Sequence, residues 1–164
     1  MPTHSNLADD STNKFWSMLT SFRSCMLVSR HGSALHGRPM AALVRREEGC
    51  IYFLTDKHSL KDTEISENPN VYLAFSDGGS KHVSVYGMAT LDDNSVLIQK
   101  LWSPAAQAFW PNGPDNSDVV SIRVTPESAE YWDGSSAMIA LAKMAFAAAT
   151  GSKPDLGENK SVVL

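Results

Sequence analysis

The chain has 164 residues, a net charge of −4, 43% hydrophobic residues and 20% charged residues. That is the length of one domain, with enough apolar material for its own core and too little charge for wholesale disorder. No lysine/arginine run exceeds Arg45–Arg46, which argues against a nucleic-acid-binding face. The two cysteines, Cys25 and Cys50, sit among apolar neighbours, so they read as buried reduced thiols, and no metal-ligand spacing exists. The N-terminus lacks a signal-peptide pattern, and no apolar run approaches the ~20 residues a membrane span needs. The expectation is a soluble, cytoplasmic protein with no nucleic-acid or membrane partner and no metal.

Residues 1–13 read as a flexible tail preceding a single domain over residues 14–164. Phe15, Trp16, Leu19 and Phe22 recur at helical spacing. Met26–Ser29 is a strand candidate that breaks at His31-Gly32, and Arg38–Val44 is a second, with its proline near the start. Glu47-Glu48-Gly49 turns into Cys50–Thr55, a third strand. The period then changes: Leu60, Thr63, Glu64 and Ile65 predict a short helix closed by Asn68-Pro69. Val71–Phe75 and His82–Thr90 return to strand, and Gly87 inside the second marks a bulge or a close backbone approach.

Val96–Trp102 predicts a helix ended by Pro104, and a Pro-Asn-Gly loop follows. Val119–Val124 and Ala129–Trp132 are two further strand candidates, the second turning at Asp133-Gly134. Ala137–Ala149 is an alanine-rich helix stopped by Gly151. The sum is mainly β: six to seven antiparallel strands in hairpin order with inserted helices, which suits a small barrel better than alternating βα units.

One constellation suits an anion. Ser59 occupies a helix start with Asp62 three residues on, and helix N-termini present unpaired N–H groups to phosphate. Thr55 and Lys61 add a hydroxyl and a cation, and a lysine in a first turn is unfavourable unless an anion is near. Taken alone, these residues equally fit a capped helix with a solvated lysine, and Arg38 equally fits a surface charge. Trp102, Phe109 and Trp110 fit either packing or a cover over a planar ligand. No dinucleotide fingerprint, phosphate loop or nucleophile elbow is present.

The pieces acquire meaning as an ordered set. Arg38-Pro39-Met40, Phe53-Leu54-Thr55-Asp56 with Ser59 and Lys61, and Asn68-Pro69-Asn70-Val71 resemble the FMN-binding split β-barrels related to pyridoxine 5′-phosphate oxidase. Val83–Ala89, Leu101–Pro104, Phe109–Pro111, Glu130–Asp133 and Gly157–Lys160 resemble the general stress protein 26-like subgroup, and the order holds from about Phe15 to the C-terminus.

That resemblance implies a homodimer with FMN in clefts at the interface. It implies that Arg38 and Lys61 face the phosphate with Thr55, Asp56 and Ser59 beside them, and that Pro39, Met40 and Ala41 run past the ring system. His82 and Trp132 match flavin-contacting positions. The implied function is an FMN-binding flavoprotein, either an oxidoreductase with an unidentified partner or a non-catalytic flavin carrier or sensor. Two departures argue against vitamin B6 oxidation. Leu43 stands where the oxidases carry a substrate-binding lysine, and Gly134–Met138 lacks their arginine- and histidine-bearing segment. Two lost charge-assisted contacts, at about 1.5–3 kcal/mol each, would weaken a second phosphate by very roughly a hundredfold or more.

Overall fold

A computed structural model describes residues 4–134 and 137–164, except the side chains of residues 4–8, 60–62, 137 and 138. Helix α1 (His4–Leu19) leads into β1 (Ser24–His31), β2 (Ala34–Ala41), β3 (Leu43–Arg45) and β4 (Cys50–Asp56). Helix α2 (Leu60–Glu67) separates β4 from β5 (Asn70–Ser76) and β6 (Lys81–Asp92). Then come α3 (Ser95–Leu101), α4 (Pro104–Phe109), β7 (Val119–Gly134), α5 (Ala137–Thr150) and β8 (Gly157–Val163).

The strands form one antiparallel sheet in the order β2-β1-β5-β6-β7-β4-β3, with β8 added to the far half of β7. The two ends of that path, β2 and β3, are consecutive in the chain and separated by Ala42 alone. The backbone itself therefore joins the sheet's two edges, and the sheet curls into the expected split barrel.

Period-2 alternation fills the barrel. Leu27 pairs with Leu73 and Leu73 with Val85, and all three are fully buried, while the residues between them point outward. Phe15, Leu19 and Phe22 close over this core. Cys25 and Cys50 are free and buried, and burial pushes the Cys25 thiol up to about 12. A smaller cluster of Cys50, Tyr52 and Leu101 lies on the outer side of β4, beneath α3.

Gly87 has the close approach expected of it. The β6–β7 register shifts between Tyr86 and Gly87, where β7 carries Pro126, and a Cβ on Gly87 would stand 2.4 Å from the Thr125 carbonyl oxygen. Pro126 cannot donate to the ladder, so the bulge falls where a bond is missing anyway.

Several boundaries differ from expectation. The first helix starts at His4, so the stretch read as a flexible tail is helical from that residue on. The strand read over 38–44 begins at Ala34 and breaks at Ala42. Pro104 ends one helix and also begins the next: it sits in the first turn of α4, and Ser103 caps that turn by accepting from the Ala106 N–H at 3.1 Å. The two candidates at 119–124 and 129–132 are one strand, continuous through the bulge. Strand β8 went unread because all its residues except Val162 are exposed and its first half is polar.

Candidate functional site

Strand pairing decides which way β2 faces. Arg38 lies opposite the buried Leu27, and His36 opposite the buried Ser29, so both point to the inner side of the sheet. There they meet Glu64 of α2, which is 1% exposed. Arg38 donates from Nη1 to Oε2 and from Nη2 to Oε1, each at 2.8 Å, and from Nη1 to Ser29 Oγ at 3.1 Å. Ser29 donates its hydroxyl to Oε2, and His36 Nδ1 lies 2.6 Å from Oε1. Arg38 above all, with Ser29 and His36, holds the Glu64 carboxyl down at about 2 against the cost of burial.

This fork fixes α2 to β1 and β2. Ser59 is the helix N-cap with extended backbone, and Glu64 lies about 7.5 Å along the axis from it at 1.5 Å per residue. Arg38 thus comes within about a turn and a half of the α2 N-terminus. Thr55, buried, and Asp56 end the strand leading into that turn. His58, between Asp56 and Ser59, has φ of 65°, the one positive φ of a non-glycine among the described residues. The Lys61 side chain lies outside the described residues.

Pro39 and Ala41 face the outer side and, with Met40 between them, line one wall of a cleft of about 190 Å³ whose floor is Leu43 and Leu54, while the Met40 side chain, opposite the buried Cys25, packs against the barrel core. Helix α4 supplies the other wall through Ala105, Ala106, Phe109 and Trp110. Trp110 donates its indole N–H to Asp56 Oδ1 at 2.7 Å, which ties this wall to the end of β4. Strand β2 pairs with β1 on one side, and among the described residues its other edge carries no strand. Its free backbone groups therefore border this cleft.

His82 and Trp132 are cross-strand partners, yet they lie elsewhere. Thr55 pairs with Val120, and Trp132 follows Val120 by twelve residues on the same strand, roughly 40 Å of contour. A single chain therefore assembles two groups: Arg38–Ala41 with Thr55, Asp56 and Ser59, and, at the far end of β7, His82 with Trp132.

Between them runs an uncovered outer face. Pro39, Met26, Ala74, Ser84 and Glu130 pair in succession across β2, β1, β5, β6 and β7, and the next row runs Gly37, Val28, Tyr72, Tyr86 and Ser128. Met26, Tyr72, Tyr86 and Met88 are each at least two-fifths exposed.

Residues 10–155 match the family described as pyridoxamine 5′-phosphate oxidase like. The chain belongs to this family. General stress protein 26 of Bacillus subtilis is 33% identical over 81 residues, which are 47% of this chain and 57% of that protein. A Jannaschia sp. protein assigned to general stress protein 26 superposes with a TM-score of 0.77 at 26% identity, covering 96% of this chain and 99% of its own. The general stress FMN/FAD binding protein of Xanthomonas citri gives 0.67 at 27% identity, covering 76% of this chain and 89% of its own.

Leu43, where the resemblance led to the expectation of a missing lysine, is half-buried against Cys50, Tyr52 and Leu101. An apolar contact stands there. Ser135 and Ser136 of the second departing segment lie outside the described residues. Sequence reasoning missed Glu64, Ser29 and His36. His36 and Arg38, two apart on one strand, share a face, and that spacing was the available signal. Glu64 gave none, because a glutamate in a short helix reads as solvated.

Proposed function

We propose that the protein binds FMN between two copies of the chain and works as a flavin-dependent oxidoreductase of the general stress type. The observation that carries this is the separation of the expected flavin residues within one chain: Thr55 and Asp56 pair with the start of β7, whereas His82 and Trp132 lie at its far end. One cofactor meets both groups when the second comes from another copy. The uncovered face supports such a pairing. A two-fold axis along β5 sends each row onto its reverse, laying β7 of one copy over β2 of the other. Trp132 of the second copy then faces Ala41 of the first.

The residues fit the cofactor. The start of α2, with Ser59 at the cap and Thr55 before it, suits the phosphate. The free edge of β2 at Pro39–Ala41 offers backbone groups to the ring's polar edge, and the apolar cleft beside it suits the ring's hydrocarbon side. Bound flavin supplies the electron transfer; the chain's part is to orient it and set access to it. A pyridoxine phosphate substrate is disfavoured, since the Leu43 position is apolar.

Purified protein should be yellow and release FMN on denaturation; colourless protein that takes up no added FMN overturns the reading. Lys61→Ala should weaken FMN about 10–100-fold, the value of one charge-assisted contact, and leave riboflavin binding unchanged. Oxidation of reduced nicotinamide by the holoprotein separates an oxidoreductase from a flavin carrier that shows no turnover.

A further inference from the structure

Helix α5 has the sequence AMIALAKMAFAAAT, apolar on every side apart from Lys143. A helix hydrophobic all round is ordinarily buried. Here Ile139 is 53% exposed, Leu141 66% and Phe146 68%, so the chain's own barrel leaves them uncovered. The cleft between β2 and α4 is the counterpart: it is lined almost wholly by apolar side chains, and Phe109 on its rim is 78% exposed.

The chain connects these two surfaces through the two-fold pairing. Helix α5 begins five residues after Trp132, and five residues span at most about 17 Å. Wherever Trp132 of one copy is placed, the first turn of α5 follows within that radius. The pairing proposed above sets Trp132 against Ala41, and Ala41 is itself part of the cleft wall. We infer that α5 of each copy docks over the β2–α4 cleft of the other, so that Leu141 and Phe146 cover Phe109 and close the apolar side of the flavin site. The inference rests on the two-copy pairing and not on which flavin is bound. By symmetry the contact forms twice, as an isologous dimer requires.

The test uses the full chain with a benzophenone amino acid in place of Phe109, mixed with an isotopically heavy, otherwise unmodified copy and irradiated. The expected product joins the probe to a heavy peptide from residues 137–150. A probe that reacts within its own copy, or with a heavy peptide from another region, overturns the inference. In parallel, Leu141→Asp should raise the dimer dissociation constant about 100–10,000-fold in sedimentation, since each dimer loses two such buried side chains at about 10–100-fold each. An unchanged constant overturns the inference. Failure of the flavin reading is told apart by colour. Colourless protein that still gives the mixed cross-link supports the docking of α5, whereas yellow protein whose probe stays in its own copy overturns it.

Discussion

The Glu64 cluster and helix α5 are opposites. Around Glu64 a buried charge has every partner it needs inside one chain: Arg38 on both oxygens, with Ser29 and His36 beside it. Along α5, apolar side chains that would normally be buried stand in water. The first region shows what one copy completes alone, namely the attachment of α2 to the barrel. The second shows what one copy leaves unfinished. The Glu64 cluster anchors the helix whose start belongs to the candidate flavin site, whereas α5 meets that site only in the two-copy arrangement proposed above.

The sharpest way to break this contrast is Arg38→Ala. It leaves a buried carboxylate without its main partner, which costs about 3–5 kcal/mol. For a chain of this size that is a fall of about 10 °C in the thermal midpoint. A loss of stability under about 1 kcal/mol would mean that the fork does not hold α2. It follows that Arg38→Ala is a poor probe of phosphate contact, since it acts through the fold and would disturb riboflavin binding as well. Lys61 is the cleaner choice.

Acid tests the same region. The Glu64 carboxyl ionises at about 2 in the fold, against an ordinary value of 4.5. A depressed carboxyl stabilises the fold fully above its unfolded value, and that stability is lost as pH falls from about 4.5 toward 2. The loss amounts to about 3 kcal/mol at 1.36 kcal/mol per unit. Urea unfolding across that range should show it in the wild type and not in Glu64→Gln. Equal slopes in the two proteins would assign the acid sensitivity to other groups.

The legible and illegible parts of the molecule divide along the same line. Strands whose inward residues alternate, such as Val83, Val85 and Ala89 in β6, announced themselves, as did the bulge at Gly87. The position of Ser59 at the start of α2 was legible from its residue type, although its side chain makes no cap hydrogen bond there. The partner of Arg38 was not, because an arginine and a glutamate 26 residues apart carry no local pattern and meet only through the barrel's closure. Nor was β8, whose exposed residues alternate with nothing. The separation of Trp132 from Thr55 needed the register of β7, which no sequence period supplies.

The unfinished side has its own test in Tyr72→Asp. Tyr72 sits on the uncovered face of β5 and is 44% exposed, so the change should cost the single chain under about 1 kcal/mol. On a face paired with a second copy it should weaken association about 10–100-fold, by removing a buried aromatic side chain and adding a charge. Sedimentation at several concentrations reads this directly. A Tyr72→Asp protein that dimerises as tightly as the wild type would move the interface off this face.

The smallest effect lies in the cleft wall. Helix α4 is six residues long, too short to persist without help, and it forms one wall of the cleft. Side-chain hydrogen bonds hold it at both ends: the Ser103 hydroxyl accepts from Ala106, the Trp102 indole donates to Gln107, Gln107 donates to the Pro111 carbonyl, and the Trp110 indole donates to Asp56. Ser103→Ala removes the cap and should cost about 1 kcal/mol. That cost should be read most clearly as faster amide exchange in residues 104–109, since local opening of the wall needs no global unfolding. In a protein where α5 of a second copy covers the cleft, the same exchange should slow as concentration drives dimer formation. Exchange independent of concentration would show that nothing from a second copy leans on α4, and would leave the Gln107 and Trp110 hydrogen bonds as the wall's support.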